Sequence, residues 1–168
     1  MISTEKLETI LDKCQILKLY APLPESVLGY YYCHKDYYII LINENIRNNE
    51  RLYRAVLAEE IGHYRTTIGD ITPRKYMCYN ERIELDKKEL AALKWATDFL
   101  VPTDKLIDTI KNKIGFTFNE LVDYFYVTEE FLMLKFKFMA KQKITWELDD
   151  KMYLCLHSLP TVSIFAKM

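Results

Sequence analysis

The segment Ala58-Glu59-Glu60-Ile61-Gly62-His63-Tyr64 sets two carboxylates and an imidazole within five positions. On a helix, Glu59 and His63 stand at i and i+4, about 5–6 Å apart at Cβ, and can converge on one ion. Glu89 could supply a third ligand from a second helix. Glu60, one residue round from Glu59, would then face an open coordination position, where it could take a proton from a water molecule. A buried carboxylate is unfavourable unless it is paired or bound to a metal, so carboxylates on apolar helix faces point to a site. The plain alternative stays open, because an isolated Glu-x-x-x-His is common by chance and usually belongs to a solvated face with one satisfied histidine.

Two helices must position these groups. Leu52, Val56, Glu59, Glu60 and His63 fall on one side of a helix predicted from about Asn49 to Thr66. Glu89, Ala92, Leu93, Ala96 and Leu100 share a face of another, predicted from about Arg82 to Val101 and closed by Pro102. The two should pack together, with Ala92 allowing close approach. Leu7, Ile10, Leu11, Cys14 and Leu17 predict a first helix over about Ser3–Leu17, ended by Pro22 and Pro24. Two β-rich runs from Gly29 to Asn43, split at His34-Lys35-Asp36, read as a hairpin flanking the Glu59 helix. The tyrosines at 30–32 and 37–38 are expected to pack one face of that sheet, although an edge strand there could hold an extended peptide.

Downstream, Pro73 falls in a loop, and Thr103-Asp104 caps a short helix that Gly115 terminates. Thr117-x-x-Glu120 is a capping box opening Phe118 to Phe125, and Thr128 caps a helix reaching about Gln142. Strand character returns at Ile144-Thr-Trp-Glu-Leu and Lys151-Met-Tyr-Leu-Cys-Leu, around a turn at Asp149-Asp150. The fold class is α+β with helices predominating. One domain is expected over 1–168, with a core at about 20–102, a helical extension at 103–143 and C-terminal strands, read as a hairpin, at 144–168.

Composition removes several function classes. A net charge of −1 gives no global drive toward nucleic acid or anionic membrane. The longest strongly apolar run, Tyr37 to Ile42, is far too short to span a bilayer. Glu5, Lys6 and Glu8 interrupt the place where a signal peptide needs an apolar stretch, so a cytoplasmic location is expected. The four cysteines, Cys14, Cys33, Cys78 and Cys155, are dispersed without a Cys-x-x-Cys pair, and each is expected to act as a small buried hydrophobe. His34 and His157 read as surface or structural histidines. The helices around Tyr126-Val127 invite a helix-turn-helix reading, but Glu129-Glu130 would repel phosphate where a recognition helix enters the groove. No direct nucleic-acid binding is expected.

From about Leu23 to Pro102 the chain resembles the ImmA/IrrE family of metallopeptidase-like proteins, often encoded by mobile elements and prophages. The resemblance is carried by Leu23-Pro24-Glu25, Gly29-Tyr30-Tyr31, Ile40-Leu41-Ile42-Asn43, Leu57 to Tyr64, Glu89-x-x-Ala92, Trp95-Ala96 and Leu100-Val101-Pro102. The segment from Glu120 to Phe131 also looks like the helical region that often follows that core. The resemblance implies a zincin-like core, with Glu60 as general base, His63 as the second histidine of His-Glu-x-x-His and Glu89 as the downstream ligand. Glu59 stands where the first histidine belongs, and a subset of relatives has the same Ala-Glu-Glu-x-Gly-His form. Two carboxylates and one imidazole make a harder, more anionic set than two imidazoles and one carboxylate. With Zn²⁺ such a set is formally neutral, which weakens the ion as a Lewis acid, and Mn²⁺ or Fe²⁺ become alternatives.

The expected function is a metal-dependent endopeptidase with one divalent ion, Zn²⁺ first, held by Glu59, His63 and Glu89. By family likeness its partner would be a helix-turn-helix repressor of a mobile element or prophage. The alternatives are a peptidase-like binding module that regulates a repressor by contact, and the toxin half of a toxin–antitoxin pair.

Overall fold

The computed structural model describes residues 2–35, 37–67, 79–112 and 117–167, with only the backbone for 79–83. The architecture is α+β, and the chain divides into two compact units, Ile2–Phe99 and Leu100–Met168.

The first unit opens with helix α1 (Thr4–Cys14), which buries Leu7 and Leu11. Gln15 then adopts the left-handed conformation, φ 54°, and its N–H closes onto the carbonyls of Asp12 and Leu11. The chain leaves that turn as strand β1 (Ile16–Ala21), a strand the helical spacing of Leu17 had concealed. Strands β2 (Gly29–His34) and β3 (Tyr37–Asn43) form the expected hairpin. The sheet order is β1-β3-β2, with β1 parallel and β2 antiparallel to β3. Buried Asn43 holds the connection before β2: its amide donates to the carbonyls of Leu23, Pro24 and Val27 at 3.1, 3.2 and 2.9 Å.

A short 3₁₀ turn (Glu44–Ile46) leads into helix α2 (Glu50–Thr66), capped by the Asn49 side chain accepting from Leu52 N–H at 3.2 Å. Helix α2 packs on β2 and β3 and buries almost everything from Tyr53 to His63. Its buried Arg54 donates to the Ile2 carbonyl at 2.7 Å and to the Thr4 hydroxyl at 3.1 Å, tying the start of α1 to the core. Helix α3 runs over Tyr79–Leu100, with Ala92, Ala96 and Leu100 fully buried. Side chains alternate across the sheet, so the tyrosines do not share one face as expected. Tyr31 and Tyr38 turn inward toward α2, where Tyr38 meets Tyr64 edge-on at 5.0 Å, while Tyr30, Tyr32 and Tyr37 turn outward.

In the second unit, helices α4 (Thr103–Asn112), α5 (Phe118–Phe125) and α6 (Glu129–Gln142) precede strands β4 (Thr145–Glu147), β5 (Met152–Cys155) and β6 (Ser163–Ala166). The capping box at Thr117 and Glu120 is formed, and Thr128 caps α6. The C-terminal strands make a three-stranded antiparallel sheet, one strand more than the predicted hairpin. Cys14, Cys33 and Cys155 are only partly buried, not the fully buried hydrophobes expected. Cys78, and the turns assigned to Pro73 and Gly115, lie outside the described residues. No described helix is long and apolar enough to cross a membrane.

The contact between α2 and α3 is made by backbone. A Cβ placed on Gly62 would stand 2.5 Å from the Ala92 carbonyl oxygen and 3.1 Å from its Cα. The absence of a side chain at Gly62 thus allows the close approach to fully buried Ala92. Helix propensity alone predicts that Gly62→Ala stabilises by about 1 kcal/mol. The crossing predicts the reverse, a net loss of about 1–3 kcal/mol from overpacking. Urea unfolding of the two proteins decides it, and an equal or higher midpoint for the variant would remove this crossing as a constraint.

Candidate metal centre

Glu59 and His63 leave α2 one turn apart, and Glu89 comes from α3. One donor atom from each of the three lies within 4.8 Å of the others. His63 Nε2 is 3.3 Å from Glu89 Oε2. Nitrogen and oxygen donors bound at 2.0–2.2 Å in a tetrahedron stand roughly 3.3–3.6 Å apart. The His63–Glu89 separation already has that value, and the remaining pairs lie within 4.8 Å. The residue types and their spacing therefore fit one divalent ion.

His63 is buried, whereas the Glu89 side chain is 41% exposed. The cluster thus has a closed wall on α2 and an open side at Glu89. Tyr31 of β2 lies against the imidazole, with ring centroids 6.4 Å apart and planes 9° from parallel. His63 Nδ1 is buried with no hydrogen-bond partner among the described residues. Ligating histidines usually give their second ring proton to an acceptor. Here the described surroundings hold the ring by packing against Tyr31.

Glu60 sits beside the three and faces β2. A Cβ on Gly29 would overlap its carboxylate and come within 2.6 Å of Val56 Cγ1, so only a glycine leaves room for Glu60 there. The backbone N–H of Tyr31 donates to the Glu60 carboxylate. Gly29 and Tyr31 are the two contributors that the sequence reading missed. The one available signal was a scarce glycine at the head of a tyrosine run. His34 and His157 are exposed, at the end of β2 and after β5, and neither joins the cluster.

The electrostatics are those of an anionic pocket. Burial pushes the Glu60 carboxyl well above the usual carboxylate range, the charges of Glu59 and Glu89 push the same way, and the Tyr31 N–H opposes them. Burial also raises Glu59, with His63 lowering it and Glu89 adding to the rise. A divalent cation would reverse this repulsion.

The sign of the pH dependence follows. A carboxylate whose folded-state pKa is raised keeps its proton in the fold at a pH where the unfolded chain has lost it, so it destabilises the fold as pH rises. For chelator-treated protein the penalty from Glu60 is absent below its ordinary value of 4.5 and grows upward from there. Thermal melts of Glu60→Gln should match wild type near that value and lie above it at neutral pH. A stability difference that does not change with pH would contradict the burial of an uncompensated carboxyl at 60.

Comparison with known proteins fits this arrangement. No curated protein and no solved structure matches the chain. The family model described as the IrrE N-terminal-like domain, a peptidase family, matches residues 12–137. That match spans β1 to β3, both helices of the cluster and the following helices into α6, which is well over half of the sequence. Its metallopeptidase-like character accords with two carboxylates and an imidazole converging from two helices. The chain therefore belongs to the family of IrrE N-terminal-like peptidase domains.

Proposed function

We propose that the protein is a metal-dependent endopeptidase whose single ion is held by Glu59, His63 and Glu89, with Glu60 as the general base. The observation that carries this reading is the convergence of those three donors, with a buried carboxylate beside them. When bound, the ion would supply Lewis acidity toward a peptide carbonyl and toward water. Glu60 takes the proton from the attacking water and hands it to the amide nitrogen as the C–N bond breaks. Gly29 and the Tyr31 N–H hold the Glu60 carboxylate in place, and the Tyr31 ring holds the imidazole.

Zn²⁺ is the first candidate. Two carboxylates make the set harder than the His-Glu-x-x-His form, so Mn²⁺ and Fe²⁺ follow it. Family likeness supports a protein substrate, a helix-turn-helix repressor of a mobile element, reached in the cytoplasm without direct nucleic-acid binding. Glu59 supports the competing reading of a weak or inactive module that regulates by contact, because a second anionic ligand lowers the ion's acidity.

Elemental analysis should find one equivalent of a divalent metal in wild type and almost none in His63→Ala. Glu60→Gln should keep the metal while lowering repressor cleavage by about 10²–10⁴-fold, since the amide fills the same space but cannot accept a proton. Protein that stays metal-free after incubation with Zn²⁺, Mn²⁺ and Fe²⁺ would remove the metal centre. Cleavage unchanged by Glu60→Gln would remove Glu60 from its role. Repressor regulation by both variants at the wild-type level, without any cleavage product, would establish the contact mechanism instead.

A further inference from the structure

The sheet of the first unit has a second apolar face, turned away from α2. Its register sets two rows of three side chains there: Leu17, Ile39 and Tyr32, and next to them Leu19, Leu41 and Tyr30. None of the six is charged. An antiparallel or mixed sheet with one open face ordinarily alternates apolar inward and polar outward, and this one does not. Leu17, Leu19 and Tyr32 keep 53%, 45% and 41% of their surface exposed, and Tyr37, at the end of the same face, keeps 72%. Such a side chain presents roughly 150–250 Å² when free, so these four leave about 400 Å² open. The half-buried Ile39, Leu41 and Tyr30 extend the patch to about 500 Å², within the size of the largest apolar patch on a monomer, which is often functional.

We propose that this face is a homodimer interface, occupied by the same face of a second copy of the chain. A patch of uncharged side chains carries no charge pattern to select a charged partner, whereas two such patches are mutually complementary. An isologous contact needs one surface that matches itself across a twofold axis. Two small sheets stacked with their strands about 30° apart meet that requirement. Stacking would remove about 1,000 Å² from water in total, the threshold for a specific interface. Inner and outer faces share β2, so the strand that carries the Tyr31 contact to the metal centre would be clamped from outside by Tyr30 and Tyr32.

Light scattering and sedimentation equilibrium on full-length protein, from micromolar to about a hundred micromolar, test this. Wild type should be dimeric, with or without chelator, so the outcome is independent of the metal centre. Leu19→Lys on β1 and Tyr32→Lys on β2 should each raise the dimer dissociation constant at least about 100-fold, a loss of more than ~2.7 kcal/mol on the conversion of 1.4 kcal/mol per tenfold. Both positions are exposed, and circular dichroism should show unchanged folding. Tyr37→Lys serves if either variant fails to fold. The strands β1 and β2 lie at opposite edges of the sheet, so loss with both variants identifies the face. Loss with Leu19→Lys alone would mean pairing along the free β1 edge and would overturn the proposal. A wild-type monomer throughout the range, or a dimer that neither variant weakens, would overturn it as well, including the case where a different protein occupies the patch.

Discussion

The candidate metal centre depends on how closely α3 can approach α2, and that approach is closest at Gly62. With no Cβ at 62, the Ala92 backbone rests directly on the helix, and Glu89, one turn before Ala92, is delivered to the side of His63. Any larger residue at 62 would move α3 outward by a fraction of the clash distance. Such a shift acts directly on the 3.3 Å separation between His63 and Glu89. Glycine in the middle of a helix is locally unfavourable by about 1 kcal/mol. Its presence in α2 is compensated only by the contact it permits.

The same approach concentrates negative charge. The charges of Glu59 and Glu89 act on buried Glu60, and His63 is the neighbour that opposes the rise at Glu59. Burying carboxylates without a counter-charge is strongly unfavourable, and such groups either keep their protons or meet a cation. A structural role would be met more cheaply by apolar residues of similar volume. The cluster therefore has the charge distribution that a divalent cation would relieve, in keeping with the proposed function.

Much of this was legible in the sequence, and the exceptions have physical reasons. The i, i+4 pair at Glu59 and His63 and the apolar stripe below Glu89 are local patterns, and they pointed to both helices and to the three residues that the fold brings together. Thr117, Glu120 and Thr128 marked α5 and α6 because side-chain caps act over three residues. Strand β1 was hidden because Leu17 continues the helical spacing of Leu7, Ile10, Leu11 and Cys14, while the break is a left-handed Gln15, a residue with no strong preference for that conformation. Gly62 was visible, but its purpose was not, since a glycine's use depends on the backbone that meets it from elsewhere. The contributions of Gly29 and Tyr31 depend likewise on β2 landing beside Glu60, a pairing no local pattern encodes.

Strand β2 joins these themes through its two-residue period. Gly29, Tyr31 and Cys33 face α2: the first leaves space for the Glu60 carboxylate, and the second gives it an N–H and stacks on His63. Tyr30, Tyr32 and His34 face the other way, with Tyr32 and His34 stacked at 6.4 Å. A one-residue slip against β3 would exchange the two sets, placing a tyrosine where Glu60 needs a glycine. The register therefore has to be fixed firmly. Ile40 and Ile42, both fully buried on the central strand, fix it from within, and the Asn43 hydrogen bonds to Leu23, Pro24 and Val27 fix the loop that delivers β2 to its starting point. The placement of Glu60, the proposed general base, thus depends on a buried asparagine and two isoleucines on the central strand, none of them among the three candidate ligands.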